Sequence, residues 1–118
     1  MKISLNDLLY MRQPLSKLMS KDINALTSFE LEGITDDIQK ELTTFGKIRD
    51  KLREKYGDKQ KDGTFKVGKA KEEEFQKEME EVLKKQVEIN RDKIKIGSLK
   101  NIDLSVNDIS ALKPILER

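Results

Sequence analysis

"LEGITDDIQKELTTFGKIRDKLREKY", Leu31 to Tyr56, decides the fold. Leu31, Ile38, Phe45 and Leu52 recur every seventh residue. Ile34 and Ile48 follow two of them by three positions, and Leu42 and Tyr56 follow Ile38 and Leu52 by four. A period of about 3.5 residues sustained over this length describes one long helix with a single apolar stripe. Glu41 and Lys55 interrupt the seam. Gly33 and Gly46 lie inside it, each costing up to about 1 kcal/mol relative to Ala. They mark places where another segment can approach closely. Cap-forming residues crowd Asn24–Ser28, and Gly57 is placed to close the far end. The pattern predicts a helix over 24–57.

Upstream, Ser4 and Asp7 resemble a capping box, and Leu5, Leu8, Leu9, Leu15, Leu18 and Met19 share a helical face. Pro14 removes a backbone donor and crowds the preceding turn. The expectation is a helix over 5–19 with a break near Pro14. Downstream, "AKEEEFQKEMEEVLKKQ" predicts a third helix over 70–86, with Phe75, Met79, Val82 and Leu83 on one face. Val87 and Ile89, then Ile94 and Ile96, alternate on either side of "NRDK" and predict short strands at 87–89 and 94–96. Ser105 with Asp108 opens a last helix over 106–113, which Pro114 ends. The expected fold is mainly α with a small β component (α+β). It is one domain over 1–118: a long antiparallel helical hairpin, a kinked N-terminal helix, and a short C-terminal β element and helix.

The loop of that hairpin, "DKQKDGTFKVGK", starts like a calcium-binding loop, with Asp58, Asp62, Gly63 and Phe65 in suitable places. Gln60 is a weak ligand, and Lys66 and Lys69 stand where the ninth and twelfth positions need oxygen. An ammonium has no lone pair to give a cation. The better reading is a tight turn at Asp62-Gly63 between strands 58–61 and 64–67. Phe65 and Val67 then share a face, either covering the end of the helical pair or offering a contact to a partner.

Composition removes much chemistry. The chain holds no Cys and no His among its 118 residues. Disulfides, thiol or histidine nucleophile pairs and Cys/His zinc sites are therefore absent. No cofactor motif is present. Charged residues make up 39% and aromatics 5%, as suits long exposed helices over an aliphatic core. No apolar run is long enough to span a membrane. Asn6, Asp7 and Arg12 break up the start, which reads as mature protein rather than a leader.

Lys47 to Lys71 contains ten Lys/Arg against four Asp/Glu. One use of Lys47, Arg49, Lys51, Arg53, Lys59, Lys61, Lys66 and Lys69 is a phosphate-binding surface. The competing reading is structural: cations gather at the C-terminal end of one helix beside Glu72, Glu73 and Glu74 at the start of the next. Asp36-Asp37 and Glu72–Glu74 are adjacent in sequence, so they do not face one metal site. The stripe Leu31, Ile34, Ile38, Leu42, Phe45, Ile48, Leu52 and Tyr56 is longer than the third helix. Its first half needs cover from the N-terminal helix or from a second copy of the chain, which makes a homodimer one expectation.

"SLNDLLYMRQPLSKLM", "ELTTFGKIRDKLREKYGD", "EEFQKEMEEVLKKQVEI" and "KIKIGSLKNIDLSVNDISALKPIL", in that order, span nearly all of the chain. Together they resemble a family of small proteins of unknown function encoded by tailed phages of Gram-positive bacteria. "KLREKYG" and "IDLSVNDISALKPIL" carry most of the resemblance, and neither is a catalytic signature. The resemblance implies a phage-encoded protein made in the cytoplasm of the infected host. With the composition, it makes a non-enzymatic protein acting on a phage or host protein the leading expectation. A nucleic-acid-binding accessory protein comes second, and a metal-dependent carboxylate enzyme third.

Overall fold

Helix α2, Ala25–Tyr56, is the axis of the computed structural model, which describes all residues 1–118. At about 1.5 Å per residue its 32 residues run the length of a molecule measuring 50 × 27 × 24 Å. The Asn24 side chain caps it by accepting from Thr27 N at 2.9 Å. The fold is mainly helical with small β elements. In chain order these are β1 (Lys2–Ser4), α1 (Leu5–Met19), α2, β2 (Gly57–Lys59), β3 (Phe65–Val67), α3 (Lys69–Leu83), β4 (Gln86–Glu88), β5 (Ile94–Lys95), α4 (Val106–Leu112) and β6 (Leu116–Glu117). Single 3-10 turns occupy Ile96–Leu99 and Lys113–Ile115.

Helix α1 packs on the first half of α2 and carries α4 on its other side. It runs through Pro14 without the expected break. Pro14 is buried on the same side as Leu15 and Leu18, so apolar burial offsets the lost hydrogen bond. Tyr10, whose carbonyl loses its helical donor to Pro14, is exposed, and water can replace the missing partner. The Ser4 side chain caps α1 by accepting from Asp7 N at 3.1 Å.

The strands do not form the C-terminal arrangement expected from "NRDK". Strand β4 pairs antiparallel with β1, setting Ile3 opposite Val87, and β5 pairs parallel with β6, setting Ile94 opposite Leu116. Each pairing places apolar residues in one core, where Ile3, Val87, Ile89, Ile94 and Ile115 are buried. A local 87–96 hairpin would leave Ile3 uncovered. Ile96 leaves the ladder for a 3-10 turn and is 44% exposed.

The fully buried core ends at the root of α3, whose Met79, Val82 and Leu83 pack on its edge. Its 17 hydrophobic residues come from β1, α1, α2 as far as Phe45, and the segment from Val87 onward. Nothing between Gly46 and Gln86 is buried. The molecule is therefore a packed body with a projecting arm. The arm consists of the distal part of α2, the β2–β3 hairpin and α3.

Candidate interaction surfaces

The stripe on α2 divides at the root of the arm. Leu31, Ile34, Ile38, Leu42 and Phe45 are buried in the body, where α1 and β5 pack on α2. Helix α1 thus supplies the cover that α3 is too short to give. Ile48 is 36% exposed, and Leu52 and Tyr56 are half-buried. The stripe is core along its first half and an incompletely covered seam along its second. Opposite the distal half, α3 buries no residue, and Phe75, Met79, Val82 and Leu83 all keep solvent contact. Tyr56 and Phe75 meet edge to face with centroids 6.4 Å apart. At the arm's root a groove of about 330 Å³ opens between α2 and α3, with Phe45, Ile48, Val82 and Val87 in its wall and Glu41, Glu81 and Lys85 around it.

The hairpin at the tip is built by side-chain geometry. Gly63, at φ +87°, takes the left-handed position of the turn. Asp62 Oδ1 accepts from Thr64 N at 3.0 Å and from Thr64 Oγ1 at 2.6 Å, which holds its carboxyl below the ordinary range. The strands pair as Gly57 with Val67, Asp58 with Lys66 and Lys59 with Phe65. Phe65 and Val67 are half-buried, so the loop leans on the arm. Gly57 joins α2 to β2 in extended backbone, so the left-handed helix ending does not occur. It is needed for space: a Cβ there would strike the Arg53 carbonyl oxygen and lie 3.0 Å from Phe65 Cβ. The calcium pattern leads to no ligand cage, as Lys59, Lys61, Lys66 and Lys69 are all exposed.

The basic stretch comes together only in part. Lys47, Lys51 and Arg53 are exposed and Arg49 is half-buried on α2. Lys55 is paired, with Nζ donating to Glu78 Oε1 at 3.0 Å. This pairing raises the Lys55 pKa through Glu78 first and Tyr56 next. The first turns of α3, with Glu72, Glu73 and Glu74, return past the last turns of α2. Positive charge that is continuous in sequence is therefore flanked by negative charge in space. On the hairpin, Asp58 faces Lys66 across the strands.

On the body, three pairs of residues distant in sequence are fastened, one of them the Met1 amino group with Glu88 Oε1 at 3.3 Å. Arg91 Nε donates to Asp37 Oδ2 at 2.6 Å, laying the guanidinium over Gly33, where a Cβ would collide with it. The contact lowers the Asp37 pKa and raises that of Arg91. Gly33 thus admits a close approach, whereas Gly46 has nothing nearer than its own helix's Arg49 Nη2 at 3.9 Å. Lys17 Nζ donates to Asp108 Oδ2 at 2.8 Å, joining α1 to α4. Asp108 also completes a reciprocal capping box with Ser105. Its carboxyl is held low by Lys17 first and then Ser105. Beside this pair lies an open, mostly polar groove of about 690 Å³ between α1 and α4, with Tyr10, Arg12, Gln13 and Asn107 in its wall.

Ile96 and Ile109 are exposed in part, and four large apolar side chains on the body lie more than two-thirds in solvent: Tyr10 at 68%, Leu26 at 71%, Phe29 at 76% and Val106 at 80%. None of these four was singled out by the periodicity. Leu26 and Phe29 share a helical face by their spacing but lie off the Leu31–Tyr56 stripe. That departure was the available signal. Asp36 is exposed and Asp37 is engaged by Arg91, while Glu72, Glu73 and Glu74 are exposed. No three acidic side chains gather closely enough to hold a metal ion. No helix is long and apolar enough to cross a membrane. Compared with protein-family models, curated proteins and solved structures, the chain matches none.

Proposed function

We propose that this chain is a non-enzymatic interaction protein of phage origin, made in the infected bacterium's cytoplasm, that holds a phage or host protein against its helical body. The phage setting rests on the resemblance carried by "KLREKYG" and "IDLSVNDISALKPIL". The observation behind the interaction reading is a contrast in burial. The body buries 17 hydrophobic side chains in one core and exposes Ile96 and Ile109 by less than half, yet leaves Leu26, Phe29 and Val106 more than two-thirds exposed at the first turns of α2 and α4. Apolar side chains grouped on an otherwise charged surface mark contact sites. Leu26 and Phe29, one helical turn apart, form the more compact pair.

Capture from infected cells tests this, using the wild-type chain and a Leu26→Ser/Phe29→Ser variant side by side. Surface substitutions of this kind usually change stability by less than about 0.5 kcal/mol, so the variant keeps its fold. A protein retained by the wild type and lost by the variant is the expected result. Identical captures on both chains count against the reading. A nucleic-acid role for Lys47–Lys71 has less behind it, because Glu72–Glu74 and Glu78 share that end of the arm. It predicts a gel shift at low salt that falls steeply as salt rises.

A further inference from the structure

The arm is built like half of a bundle. Between Gly46 and Gln86 no residue is buried, yet α2 and α3 turn apolar residues toward each other: Tyr56 meets Phe75 edge to face, and Ile48 and Val82 share one groove. Leu52 and Met79 fall between them along the two helices, with Met79 and Val82 also packed on the edge of the body's core. Two helices alone cannot enclose such a seam. Its flanks stay open, as the groove beside Ile48 and Val82 records. Four helices at coiled-coil spacing enclose the same seam fully. The charges indicate what supplies the other two. From Lys47 to Tyr56, α2 carries five Lys/Arg against two Asp/Glu. From Lys69 to Leu83, α3 carries six Glu against three Lys. One arm thus presents a basic helix beside an acidic one. A two-fold relation sets the basic helix of each copy against the acidic helix of the other, which is the self-complementarity an isologous interface requires. A polyanion would meet the Glu row of α3, and a polycation would meet α2.

We infer that the arm is a dimerisation element: the occupant of its open flank is the arm of a second copy of this chain, and together they form a four-helix bundle. The interface lies on the distal seam alone, because α1 and the body already cover Leu31 to Phe45. It is separate from the Leu26–Phe29 surface, so either assignment can fail without the other.

Light scattering after gel filtration, over a dilution series, tests the inference. The expected wild-type mass is twice 13.7 kDa. A variant with Lys47→Glu and Lys51→Glu, both at exposed positions, should elute as a monomer with unchanged helical circular dichroism. So should a variant with Glu73→Lys and Glu80→Lys. Mixing the two should restore the dimer mass, since each reversed helix then faces its complement. A monomeric wild type at every concentration overturns the inference without reference to any variant. So does a dimer that both reversals leave intact.

Discussion

Gly33 and Gly46 look alike in sequence and differ in what surrounds them. At Gly46 a Cβ would meet only the Arg49 side chain at ordinary contact distance, so Gly46→Ala should gain the ordinary helix preference, about 0.5–1 kcal/mol, read as a higher denaturation midpoint. At Gly33 the added methyl displaces the Arg91 guanidinium from Asp37. Gly33→Ala should therefore gain less than Gly46→Ala, or lose. The same ion pair sets an acid limit. Asp37 and Asp108 have pKa values lowered by Arg91 and Lys17 respectively. A carboxyl depressed in the folded state contributes stability above its unfolded pKa and loses it as pH falls through the folded value. Urea midpoints should thus hold from neutral pH down to about 4 and fall below it. Asp37→Asn should flatten part of that fall.

The elements differ in how far they could be read locally. The long helix was legible because its stripe repeats for many turns, and the place of the turn because glycine accepts positive φ. The turn's form was not, since Gln60 and Thr64 close a three-residue loop and only Gly63, not Asp62, takes positive φ. The course of β1 was not, since "KIS" is too short to show alternation and its partner is more than 80 residues away. Strand β6 escaped because two residues cannot show alternation. Pro14 misled because its local cost was visible while its buried surroundings were not. The α2 stripe was legible as a whole but not as a division, since sequence does not say where α1 stops covering α2, and the exposed Leu26 and Phe29 lay off it. The β2–β3 junction gives an element-scale test. Gly57→Ala places a methyl against the Arg53 carbonyl and Phe65, forcing the hairpin off the arm. It should cost about 1–3 kcal/mol, in the range of overpacking. Amide exchange should quicken in residues 57–67, with the body unaffected.

For the whole molecule, body and arm should open at different free energies. The 17-residue core ties β1, α1, proximal α2, β4, β5 and α4 into one packed unit, whereas the arm rests on half-buried contacts, Tyr56 with Phe75 and Met79, Val82 and Leu83 on the core's edge. Opening free energies follow buried contact, so the slowest-exchanging amides should lie between Leu5 and Phe45 and around Ile89–Ile94, with those of α3 and distal α2 exchanging first. The arm's protection should also depend on protein concentration. If two arms form one bundle, opening an arm requires separating the copies, and mass action stabilises the paired form as concentration rises. Protection of Lys51–Tyr56 and Glu74–Leu83 should then increase with concentration, while that of Leu8, Leu31 and Ile38 stays constant. The Lys47→Glu/Lys51→Glu variant should lose the dependence and keep the body's protection. Concentration-independent exchange throughout wild-type α3 would place the arm in solvent as a two-helix projection, its stability set by its own seam.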